Sequence, residues 1–140
     1  MLRLIPLLVI PIAIYNIFAL GGSAAGHDVQ GMLTSAHPVK MFSGDEWKIS
    51  FGDILLWLSV ALLFAEVVKA TRTSSKEIIN HGLSMLLFVV ALVEFIVLKG
   101  FATSTFFFLV LFTLFDVVAG YMISIATAEH DLGLRRAGTD

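Results

Sequence analysis

The chain contains no cysteine. Disulfides, iron–sulfur clusters, thiolate zinc sites and cysteine nucleophiles are therefore excluded. Charge is scarce as well: Asp, Glu, Lys and Arg make up 14% of the 140 residues, against roughly 25% in ordinary soluble chains. The 9 basic residues against 11 acidic ones give a net charge of −2, so there is no basic face for nucleic acid. The dinucleotide, P-loop, HExxH and GxSxG motifs are all missing. These absences predict a non-enzyme, with no catalytic residue, no metal ligand set and no cofactor.

What remains is apolar. Hydrophobic residues make up 58% of the chain and the mean hydropathy is +0.93. A bilayer's hydrocarbon core is about 30 Å thick, and a spanning helix needs about 20 mostly apolar residues. Four segments meet that length: about residues 2–20, 51–70, 81–99 and 104–127. No alternating ten-residue pattern of the barrel type occurs. The expected fold is an all-α membrane protein: four transmembrane helices in one antiparallel bundle, a single domain over 1–140.

The first run resembles a signal peptide, with Gly22-Ser23-Ala24-Ala25 as a small-residue cleavage site. It is longer than the usual apolar region of about 7–15 residues, so it reads as a retained helix. Pro6 and Pro11 should bend it, which membrane helices tolerate when neighbours satisfy the freed carbonyls.

Lys and Arg set the orientation. Arg3, Lys69, Arg72, Lys76, Arg135 and Arg136 fall on one side, and Lys40, Lys48 and Lys99 on the other. Both termini, including the 128–140 tail, are then cytoplasmic, and the 21–50 loop is external. Trp47, Phe51 and Trp57 sit where an outer aromatic belt belongs.

In that loop Asp28 can cap a short helix whose Val29, Met32, Leu33 and Ala36 share a face, ended by His37-Pro38. Residues 39–42 and 47–51 then read as a small β-hairpin around Ser43-Gly44-Asp45-Glu46. The rival is a capping box, Ser43 with Glu46, starting the second span early. The short 71–80 connection and Lys99-Gly100-Phe101-Ala102-Thr103 make spans two, three and four a meander, with span one free to pack on a flank or on another subunit.

Three acids interrupt the spans: Glu66, Glu94 and Asp116. Acids inside a membrane are costly and face a bundle interior, a partner or water. Each lies on a stripe of small or polar residues: Gly52, Ser59 and Glu66; Ser84, Ala91 and Glu94; Thr105, Thr113, Asp116, Gly120 and Ser124. Such stripes let membrane helices approach and hydrogen-bond. At 1.5 Å per residue, Glu66 lies roughly 20 Å, Asp116 roughly 18 Å and Glu94 about 7 Å from the outer helix ends, with Asn16 near the level of Glu94. The set can form a ladder for protons or cations. It can equally be packing: Glu66 snorkelling beside Lys69, Glu94 reaching water or Lys99, and only Asp116 deep, with no basic residue in the spans deep enough to neutralise it.

Of the histidines, His27 and His37 fall in the loop, while His81 and His130 fall at cytoplasmic helix ends, near Glu129 and Asp131. They read as polar surface rather than metal or haem ligands. The run Thr105–Phe112 reads as lipid-facing packing, with a pigment, quinone or lipid tail as the alternative.

The stretches KATRTSSKEIINHGLSMLLFVVALVEF and GFATSTFFFLVLFTLFDVVAG resemble small uncharacterised inner-membrane proteins of alphaproteobacteria, over roughly 60 residues. The resemblance implies a multi-pass protein of a bacterial inner membrane and no activity. The expected function is an accessory or scaffold subunit of a membrane complex or homo-oligomer. Its partners would be the lipid bilayer and other subunits or copies of itself, with no nucleic acid. The alternative is a small oligomeric proton or cation channel or transporter that uses the acids.

Overall fold

The structure of the protein, a computed structural model, describes residues 5–24, 26, 28–71 and 75–137; residues 23, 75–78 and 127–137 are described by backbone alone. Arg3, His27 and Arg72 lie outside the described residues, as do the side chains of Lys76, Glu129, His130, Asp131, Arg135 and Arg136.

The chain is mostly helical. Helix α1 covers Val9–Ala24 and the short α2 covers Val29–Thr34; strands β1 (Ala36–Lys40) and β2 (Glu46–Ser50) follow, then helices α3 (Phe51–Ala70), α4 (Ser75–Val97) and α5 (Ser104–Ala137). Segments Phe51–Ala70, Ile79–Val97 and Ser104–Ala126 are long and apolar enough to cross a bilayer. Their outward sides carry Phe64, Val93, Ile96 and Phe115, each at least half exposed. Ser59, Glu66, Asn80, Ser84, Thr113 and Asp116 are buried inside. Polar inside and apolar outside is the arrangement a bilayer demands of the helices it surrounds.

Helix α1 is shorter than the expected 2–20 run. Within the described residues it begins at Val9, after a turn in which Val9 N–H donates to the Pro6 carbonyl. Pro11 then falls in the first turn, where a helix has no intrahelical acceptor for its N–H groups. The two prolines mark where the helix starts rather than bend its middle. At the other extreme, α5 runs through Ala137, so most of the expected 128–140 tail is helical.

The 36–50 segment is a hairpin. Strands β1 and β2 pair antiparallel, with Val39 opposite Trp47 and His37 opposite Ile49. The connection is the five residues 41–45, tightened by the Met41 N–H donating to the Asp45 carbonyl and by Gly44 at φ +93°. His37 and Pro38 therefore belong to a strand and do not end α2; that helix stops at Thr34, with Ser35 as its cap. Asp28 does cap it, accepting from Gln30 N–H. The capping box of α3 lies at Ser50 and Asp53, not at Ser43 and Glu46: Ser50 Oγ accepts from Asp53 N–H while Asp53 Oδ2 accepts from Ser50 N–H.

The bundle is not a meander in sequence order. Helix α5 packs along both α3 and α4 and stands between them. Helix α1 lies against α3 and α5. We call the hairpin side the cap end and the opposite side, where α3 finishes, the tail end. The apolar core sits toward the cap end, around Tyr15, Leu55, Phe101, Phe106 and Leu109. Tyr15 stacks on Phe106 (centroids 4.6 Å apart) and on Phe101 (5.4 Å). The Thr105–Phe112 run is thus divided: Phe106, Leu109 and Val110 are core, and only Phe107 and Phe108 face outward.

Candidate functional site

The polar interior has two levels. At the tail end Glu66 is only 1% exposed, yet its carboxylate is well provided for. Oε2 accepts from Leu7 N–H at 3.1 Å, and Oε1 accepts from Asn80 Nδ2 at 2.6 Å and lies 2.7 Å from Lys69 Nζ. Lys69 also donates to Asn80 Oδ1 (3.2 Å) and to the Ile5 carbonyl (3.3 Å). The i,i+3 spacing puts Glu66 and Lys69 on one face of α3, and Asn80 enters from the first turns of α4. Leu7 lies just before α1, so the carboxylate also satisfies a free donor at that helix's positive end. One acid therefore ties α1, α3 and α4. Lys69 bends inward instead of Glu66 snorkelling outward: its side chain is 14% exposed.

Asp116 and Ser84 lie beside this network, on facing sides of α5 and α4. Ser84 neighbours Asp116 without closing to hydrogen-bond geometry. One turn along α5, Gly120 makes room for the His81 ring; a Cβ at 120 would collide with it. Asp116 Oδ2, Ser84 Oγ and both ring nitrogens of His81 are buried and make no hydrogen bond. Among the described residues these are the buried side-chain polar atoms without a partner, and they belong to one cluster between α4 and α5.

The cap-end level is smaller. Asn16 Nδ2 donates to Glu94 Oε2 at 3.0 Å and to the Ile12 carbonyl at 3.1 Å, tying α1 to α4. The Tyr15 hydroxyl donates to the Gly100 carbonyl at 2.9 Å and lies 2.7 Å from Thr103 Oγ1. Thr103 in turn caps α5, accepting from Phe106 N–H. Glu94 thus engages Asn16, and neither water nor Lys99 is needed to explain it.

Between the levels, Ser59 and Thr113 are buried, but each donates to its own helix, to the Leu55 carbonyl (2.6 Å) and the Val110 carbonyl (2.7 Å). No side-chain hydrogen-bond chain joins the two levels among the described residues. Gly52 lies against Thr105, so α3 and α5 approach closely there. Ser124, expected on the buried stripe, is exposed and donates to the Gly120 carbonyl of its own helix. Among the described residues no group of three His, Asp or Glu side chains is placed to hold a metal.

Asn80, Tyr15 and Thr103 were not among the residues singled out from sequence. Asn80 had a findable signal: it precedes Ser84 by one helical turn and so extends the stripe of that helix. Tyr15 and Thr103 had none, because their meeting depends on how α1 docks. The geometry defines an α-helical protein with three membrane-spanning-length helices and a hydrogen-bonded polar interior. No family model matches the chain, and neither a curated protein nor a solved structure matches it.

Proposed function

We propose that this chain is a non-enzymatic, multi-pass accessory or scaffold subunit of a bacterial inner membrane, working within a homo-oligomer or a larger membrane complex. The observation that carries the reading is the use of the acids. Glu66 and Glu94, the residues that would begin and end a conducting ladder, are engaged in ties between helices. An aromatic and aliphatic core occupies the cap-end interior, and the hydroxyls between the levels are turned back on their own helices. Such an interior supports the reading of a rigid shape over that of a conducting path.

Four crossings with both termini cytoplasmic fit this reading. Helix α1 with its leading turn reaches from the Glu66 level, at Leu7, to the Thr103 level, at Tyr15, and continues to Ala24. The resemblance noted above and the Lys and Arg bias support the inner membrane and that orientation.

One observation favours the second reading, a small oligomeric proton or cation channel or transporter. Asp116, Ser84 and His81 keep their unpartnered atoms together in the interior, where such atoms normally find partners.

The test of assembly is the mass of the protein purified in mild detergent and again in nanodiscs. A mass several times the 15.3 kDa of one chain, or a second protein in fixed ratio, is the expected result. A lone monomer under every condition would remove the subunit reading.

A further inference from the structure

The hairpin has two unlike faces. Successive strand residues point to opposite sides and cross-strand partners share a side. The pairs His37–Ile49 and Val39–Trp47 therefore form one face, and Pro38–Lys48 and Lys40–Glu46 form the other. The first is apolar apart from His37. The second carries the charges.

The apolar face is turned toward the flank of the bundle. At its base, His37 and Ile49 close a cleft of about 310 Å³ against Phe18 of α1 and Ile54 of α3. One pair further out, Trp47 packs on Trp57 with ring centroids 5.4 Å apart. Trp57 is on the outward side of α3, with Ile54 and Leu58, and all three remain substantially exposed. The hairpin thus lies along the outward flank of α3 and does not stand away from the bundle as a continuation of the helix. Beside Trp47 and on toward the tip the apolar residues stay open: Val39 is 43% exposed, Met41 47% and Phe42 fully exposed.

We infer that the hairpin is a flap that binds the lipid interface of the cap-side leaflet. Its apolar face is continuous with the helix flank that faces acyl chains, so the medium that covers Trp57 also covers Val39, Met41 and Phe42. Tryptophan favours the boundary between headgroups and hydrocarbon, which is where the Trp47–Trp57 stack then sits. Lys40, Glu46 and Lys48 on the opposite face meet the phosphate and ammonium groups of zwitterionic headgroups, the lysine stems reaching upward. The partner is a lipid surface, and the inference rests on the reading of the helices as membrane-embedded.

Because the chain has no cysteine, single nitroxide labels can be placed in the full-length protein in phosphatidylcholine vesicles. Phe64→Cys, midway along the outward side of α3, reports whether the helices are in lipid. Phe42→Cys and, separately, Met41→Cys report the tip, and Lys48→Cys reports the opposite face. The expected result is relaxation by oxygen and not by a water-soluble nickel chelate at 64, oxygen favoured at 41 and 42, and nickel favoured at 48. Tip labels as open to nickel as the one at 48, with 64 still in lipid, would overturn the flap and leave the membrane reading standing. Tip labels shielded from both reagents would also overturn it, since protein would then be the cover. Nickel access at 64 would overturn the membrane reading itself.

Discussion

The two ends of the bundle are held by different means. At the tail end, a buried carboxylate, a lysine and an asparagine join three chain segments around Glu66. At the cap end, aromatic packing does most of this, with Tyr15 between Phe101 and Phe106, and the polar ties are single neutral or half-buried bonds. The difference follows from what surrounds each site. Burial makes a lost partner expensive, so the tail-end network is either complete or ruinous. The cap end draws on contact area, which degrades gradually. An interior built this way fixes helix positions, as the proposed scaffold role requires.

The sharpest way to break this comparison is to remove the central acid. Glu66→Ala leaves Lys69, Asn80 and the Leu7 N–H without their acceptor, and a broken buried pair costs about 3–5 kcal/mol. The loss should appear as a large shift in unfolding by a denaturing detergent. Glu66→Gln, which keeps an acceptor for two of these donors, should lose less. Unchanged stability in Glu66→Ala would mean that the tail end is not held through this network.

At the cap end the expected effects are smaller. Double-mutant cycles across membrane helices average about 0.6 kcal/mol and reach about 1.7 kcal/mol. A cycle on Asn16→Leu and Glu94→Leu should fall in that range, and Tyr15→Phe, which keeps the ring between Phe101 and Phe106, should cost a similar amount. A coupling between Asn16 and Glu94 as large as the Glu66→Ala effect would erase the distinction between the ends.

The bounds of helix α3 were readable from its apolar run over 51–70, but its capping box was not: the serine and acid that start it are Ser50 and Asp53, where the spacing had offered Ser43 and Glu46. The three acids also stood out, since acids are rare in apolar runs. Two of their partners were legible as well, Lys69 three residues after Glu66 and Asn16 at the depth of Glu94; Asn80 and the Leu7 N–H were not. Asn80 was assigned to the 71–80 connection, so a residue inside α4 passed for a loop asparagine. The order of packing, with α5 between α3 and α4, was hidden for another reason: a short connection fixes which ends are near, and says nothing about which flank is used. Ser124 shows the limit of reading a stripe along a helix. It keeps the spacing of Asp116 and Gly120, yet it is exposed and its hydroxyl turns back to the Gly120 carbonyl.

The central proposal is that Glu66 and Glu94 hold helices and that no interior acid moves ions. Asp116 decides it, because among the described residues it is the interior acid with a buried carboxylate oxygen that makes no hydrogen bond. The natural chain and Asp116→Asn would be reconstituted in sealed vesicles, and proton entry driven by a pH gradient and a potential would be followed with a trapped dye. The account predicts entry no faster than in protein-free vesicles for both proteins, with both assembled alike. Proton entry through the natural chain that disappears in an equally well assembled Asp116→Asn protein would contradict it.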